Sequence, residues 1–132
     1  MTDKLSATSY LRKAERALDE ARLLLREAAP EGACSRAYYA MHNAAHAALI
    51  AVGYETPDAI IKTHHTLIAA FGKQLVQAGF VDAALGRGFN KVQDTRRLAD
   101  YTAEPPLLED AASCVEEAAA FVAAIKRRFK LT

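Results

Sequence analysis

Arg36, Tyr39, His42, Asn43 and His46 fall on one side of what reads as a single helix from Ala33 to Val52. A helix turns ~100° per residue, which gathers Arg36, Tyr39, Asn43 and His46 within a quarter turn and leaves His42 at the edge. A merely solvated face would carry Glu and Lys. These side chains instead hold phosphates, stack on bases and move protons. Their chemistry suits a metal-free reaction on RNA, with Arg36 steadying charge on a phosphate and His42 or His46 moving the proton of a 2′-hydroxyl. It suits plain binding of a nucleotide or RNA end equally well, and a half-buried helix seam also accepts His and Tyr.

Two further stretches carry the same kind of groups. Lys62, His64 and His65 stand where Thr63 caps a third helix, and free backbone N–H groups at such a start favour an anion. Asn90, Asp94, Arg97 and Tyr101 follow one another at i, i+4, i+7 and i+11, a polar stripe on a fourth helix. Arg96 is spaced to pair with Asp100, and Arg97 with Asp94 or Asp100. His42 and His46 at i,i+4, joined by His64 or His65, could bind one metal ion. No Glu lies between them as HExxH requires, so no metal and no cofactor is assigned. Cys34 and Cys114 are isolated, in no CxxC pair, which argues against a zinc site or a disulfide scaffold and for two small buried residues.

The elements that must position these groups are all helical. After a frayed start at residues 1–5, Ser6 or Ser9 caps a first helix to about Ala28, apolar on one side and alternately charged on the other. Pro30-Glu31-Gly32 reverses the chain into the second helix, whose Ala37, Met41, Ala44, Ala45, Ala48, Leu49 and Val52 form an apolar arc with Tyr38 at its border. Gly53 ends it, and the following segment to Lys62 reads as irregular and mobile. The third helix runs from Thr63 to Ala78, the fourth from Ala83 to Tyr101 behind an Asp82 cap, and the last from Pro105-Pro106 to about Lys130. No strand-like alternation persists. The expected fold is all-α, an up-and-down bundle of four to five helices in one domain spanning residues 1–132.

Composition sets limits on the partner. The net charge is +1 over 132 residues, so there is no global basic field of the kind a duplex-DNA binder carries. Lys126, Arg127, Arg128 and Lys130 suit a helix C-terminus. No apolar run reaches the ~20 residues of a membrane span, and no signal-peptide pattern opens the chain, which predicts a cytoplasmic protein with no membrane partner.

Ser35-Arg-Ala-Tyr-Tyr-Ala-Met-His42, Lys62-Thr63-His64 and Arg97-Leu98-Ala99-Asp100-Tyr101 together resemble the HEPN domain, in its small stand-alone prokaryotic branch, over nearly the whole chain. The resemblance implies a helical homodimer with a polar cleft at its interface, and a minimal nucleotidyltransferase as partner in a toxin–antitoxin or nucleotide-handling pair. It also implies, for many members, a metal-independent ribonuclease that uses Arg, a spacer of a few residues, then His, with a Tyr two residues on. Here the His position is Ala99 and the commonest Arg position is Asp94, so that signature is degraded. The expectation is therefore a nucleotide- or RNA-binding protein with Arg36, Tyr39, Asn43, Lys62, His64, Arg96, Arg97, Asp100 and Tyr101 in the binding role. His42 and His46 are the candidate catalytic pair for the alternative, a residual RNA endonuclease. A structural adaptor without catalysis is the third possibility.

Overall fold

The computed structural model describes residues 3–56 and 58–132, with side chains from Ser6 onward. Five α-helices follow one another: α1 (Asp3–Arg26), α2 (Pro30–Ala51), α3 (His64–Phe71), α4 (Ala83–Tyr101) and α5 (Leu108–Phe129). Among the described residues there is no strand, only an isolated bridge between Thr56 and Ala59. The all-α bundle expected from periodicity is the observed architecture.

Helix α2 is the axis of the bundle, and all four other helices pack against it. Its Ala-rich sequence is the reason: Ala33, Ala37, Ala40, Ala44, Ala45, Ala47 and Ala48 are fully buried, so neighbouring backbones approach closely from several sides. Such a helix has little side-chain bulk of its own to bury. Larger residues fill in around it, notably Leu11 from α1 and a cluster of rings, Phe71 with Phe89 at 5.8 Å, and Phe121 with Phe71 at 5.0 Å and with Phe89 at 5.2 Å. Those rings tie α3, α4 and α5 into one core by offset and edge contacts.

The helix ends differ from expectation in physically clear ways. Helix α1 already includes Asp3, so Ser6 and Ser9 are interior residues rather than caps, while residues 1 and 2 of the expected frayed start lie outside the described residues. It stops at Arg26 because Ala28 turns into the left-handed region at φ 57°. Pro30 opens α2 instead of preceding it, since a first-turn position loses no hydrogen bond to proline, and the second helix therefore starts three residues before Ala33. Thr63 caps α3 as expected, its hydroxyl oxygen accepting from the Thr66 N–H at 3.3 Å. From Gly72 to Gln77 the same segment widens into a π-helix. Asp82 caps α4 by accepting from the Ala84 N–H at 2.9 Å. Gly88 sits where α4 meets α5, and a Cβ there would come within 2.6 Å of Glu117 Oε2. A side chain at this position would displace only the movable end of Glu117.

Candidate functional site

The polar face of α2 meets α1, α3 and α4 in a continuous stack of rings. Tyr10 of α1 lies 5.3 Å from His46, and His46 lies 4.7 Å from His42. His42 in turn lies 4.8 Å from His64, and His64 lies 5.1 Å from Tyr38. Tyr39 borders the stack at 6.0 Å from both His42 and His64. A cation closes each end. Lys13 lies 5.4 Å over the Tyr10 ring, and Arg96 lies 4.9 Å over Tyr38 and 5.5 Å over Tyr39. Arg96 also stands 3.4 Å from His64 Nδ1 through its Nη1.

Two of the arginines are held very differently. Arg36 reaches Glu20 of α1 at 3.0 Å, so its charge is compensated while its guanidinium covers Tyr39 at 5.3 Å. Arg96 has no carboxylate partner among the described residues, and the pairing with Asp100 expected from spacing does not form. Stacking on two tyrosines fixes its plane and leaves its charge available, which is the arrangement of a phosphate-recognition arginine. The Tyr38 hydroxyl beneath it is buried without a hydrogen-bond partner among the described residues. Burial drives the pKa of that hydroxyl above the ordinary tyrosine range, against the pull of Arg96.

The histidines divide in the same way. His42 is pushed down to about 3, first by burial and then by His46, His64, Arg96 and Lys13 around it. Burial followed by Arg96 and His46 also lowers His64. Both shifts favour the neutral imidazole, which can accept a hydrogen bond. His46 has another environment. It is only 3% exposed, and its Nδ1 meets Glu55 at 2.8 and 3.0 Å, with Glu55 itself only 1% exposed. The second carboxylate oxygen of Glu55 also accepts from the Ile61 N–H at 2.7 Å. The irregular segment after Gly53 is thus anchored at its centre and is not a free loop, although Pro57 lies outside the described residues.

The expected site residues therefore separate. Tyr39, His42, His64 and Arg96 come together, with Arg36 at their margin and Asn43 half-buried on the same helix face. His46 belongs to the same stack but sits inside the fold rather than on an open polar face, because the Glu55 carboxylate supplies it with a buried partner. Lys62 is exposed outside the stack. Asp100 lines a separate cavity of about 330 Å³ together with Glu31, Ser35, Cys34 and the edge of Arg96. Arg97 points away from the cluster and covers the ring of Tyr101 at 5.9 Å, with Tyr101 itself 80% exposed. The groove in which Arg97 and Tyr101 would join the α2 face is not formed within one chain, since consecutive residues of a helix diverge by ~100° and Arg96 takes the inward direction. Sequence reasoning passed over Tyr38, Lys13, Tyr10 and Glu55. Tyr38 was visible as a helical position one turn before His42, whereas Tyr10 and Lys13 lie on α1 and meet the cluster only through packing, and Glu55 carried no periodic signal at all. Among the described residues no three His, Cys, Asp or Glu converge as metal ligands, since the histidine rings meet edge to face.

The chain is similar to several known proteins. A family profile described as HEPN domain matches residues 7–128. A Methanocaldococcus jannaschii protein, named as a candidate toxin, is 35% identical over 117 residues, covering 89% of this chain and 84% of the relative. A UPF0332 protein of Thermotoga maritima is 32% identical over 102 residues, 76% of this chain and 74% of its own. A UPF0332 protein of Gloeobacter violaceus is 35% identical over 89 residues, 67% of each chain.

Proposed function

The chain belongs to the HEPN domain family, and from that premise we propose that it binds the phosphate of a nucleotide or an RNA strand at Arg96, His64 and Tyr39. In this reading it works beside a minimal nucleotidyltransferase in a toxin–antitoxin-type pair, a role in keeping with the toxin name carried by one relative. The observation that carries the proposal is Arg96: a guanidinium over two tyrosine rings, beside the His64 imidazole, with no ion-pair partner among the described residues. Phosphate oxygens would take the free guanidinium edge, a base would stack on half-buried Tyr39, and His64 would donate once protonated. Asn43, Lys62 and Arg36 border this surface as accessory contacts.

Binding is favoured over catalysis by the state of His42. A base held near 3 is almost never protonated at pH 7, so it cannot act as the acid, and it is a weak acceptor for a 2′-hydroxyl proton. A homodimer completes the reading. Leu98, Tyr101, Leu107 and Leu108 are exposed apolar side chains near the end of α4 and the start of α5, where Leu98, Ala99, Pro105, Pro106 and Leu107 help to line a groove of about 800 Å³. A second copy covering this face would bring Arg97, Asp100 and Tyr101 into an interface.

Fluorescence anisotropy with a labelled short single-stranded RNA, and competition by AMP, tests the site. Arg96→Ala should weaken binding by about tenfold or more, as expected on truncating a charged hydrogen-bond donor. Arg97→Ala should leave it unchanged. Absence of RNA and nucleotide affinity in the unaltered protein overturns the proposal, and so does metal-independent RNA cleavage that disappears in His42→Ala.

A further inference from the structure

The two cysteines, 80 residues apart in sequence, are brought side by side in the core with their sulfurs 3.6 Å apart. Cys34 is on α2 and Cys114 on α5, both thiols are free, and both are buried. We propose that this pair is a modification site at which hydrogen peroxide converts the two thiols into a disulfide joining α2 to α5. The sulfurs need to approach by roughly 1.5 Å to reach the disulfide length of about 2.05 Å, a displacement within reach of side-chain rotation and a small helix shift.

The surroundings assign different parts to the two sulfurs. The Cys34 S–H donates to Cys114, a contact that raises Cys34, as burial also does, and lowers Cys114. The Thr95 hydroxyl and the Lys91 ammonium also favour the Cys114 thiolate, while burial and the Asp110 carboxylate oppose it. Cys114 is therefore the first nucleophile and Cys34 the resolving thiol. Access selects the oxidant. The cavity beside Cys114, lined by Lys91, Thr95, Asp110 and Glu117, holds about 40 Å³, enough for a molecule the size of water or peroxide, while Cys34 borders the cavity of about 330 Å³ that Asp100 and Arg96 also line; with both thiols buried, a small uncharged oxidant is the one that reaches them.

Atoms and electrons balance in two steps. The Cys114 thiolate attacks one peroxide oxygen, the O–O bond breaks, and the departing hydroxide becomes water on taking the proton released by the thiol. Cys34 sulfur then attacks the Cys114 sulfenic sulfur, the S–O bond breaks, and the hydroxyl leaves with the Cys34 proton as a second water. Two thiols lose two electrons and one peroxide gains them. Neither step depends on the phosphate reading, because the readout is the mass of the chain itself.

The full chain, reduced, freed of reductant and treated with peroxide while folded, is unfolded in an alkylating reagent and weighed intact. The untreated chain should take two alkyl groups. The treated chain should take none, weigh two hydrogens less, and recover both thiols with dithiothreitol. Reaction in the folded protein should be about tenfold or more faster than in concentrated urea, where the two sulfurs are no longer held together. Cys34→Ser should accumulate a Cys114 sulfenic acid that dimedone traps, and Cys114→Ser should give no such adduct on Cys34. Two alkylatable thiols surviving peroxide, disulfides linking only separate chains, or equal rates folded and unfolded would overturn the assignment. A dimedone adduct on Cys34 alone would overturn the order of attack.

Discussion

His42 and His46 stand one turn apart on the same helix with their rings 4.7 Å from each other, yet they live in opposite electrostatic worlds. His46 has a buried carboxylate at 2.8 Å, whereas His42 has tyrosine rings, imidazoles and the more distant charges of Arg96 and Lys13 around it. The contrast extends to the arginines: Arg36 pairs with Glu20 at 3.0 Å, whereas Arg96 forms no ion pair among the described residues, although Glu31 and Asp100 line the same cavity. One half of the ring stack is satisfied by the protein itself and serves the fold. The other half is left with uncancelled positive character beside neutral acceptors, and that is where a phosphate is wanted.

Breaking the satisfied half should have the largest effect. Glu55→Ala leaves His46 and the Ile61 N–H buried without their partner and should cost about 3–5 kcal/mol of stability, read as a lower denaturation midpoint. The same change should leave RNA affinity per folded molecule nearly intact. Arg96→Ala should show the reverse pattern, with about tenfold or more lost in affinity and only about 1 kcal/mol in stability from the missing cation–π contacts. If the two variants exchange their phenotypes, the division between the halves is drawn in the wrong place.

Acid should expose the difference next. His42 titrates near 3 in the folded chain and near its ordinary ~6.5 when unfolded, so the unfolded chain holds the extra proton between those values. Stability is complete above pH ~6.5 and declines as the pH falls toward 3. His42→Gln should remove one proton's worth of that slope, measured by denaturant unfolding across the acid range. The smallest effect belongs to Arg97→Ala, an exposed residue off the cluster, which should change monomer stability by less than about 0.5 kcal/mol.

Much of the architecture was legible because helical periodicity and caps are local. Thr63, Asp82 and the α4 limits at Ala83 and Tyr101 could be read directly from neighbouring residues. The starts of α1 and α2 were not, since an interior Ser resembles a cap and Pro30 is compatible with either side of a helix start. Within the site, the α2 face was legible as a face, but its partners were not. Whether Arg96 or Arg97 turns inward depends on how α4 packs against α2 and α3, and the buried partner of His46 is an isolated Glu55 in an irregular segment. The Cys34–Cys114 contact is of the same long-range kind, with no trace in local spacing.

The most direct test is an NMR titration of the four histidine imidazoles with pH, in the absence and presence of AMP. Burial lowers His64 first and Arg96 second, and a phosphate held beside Arg96 offsets the second cause, so the His64 resonances should shift and its apparent pKa should rise, while the His46 resonances do not respond to AMP. No movement at His64, or a response confined to His65 or His46, would contradict an anion site at Arg96.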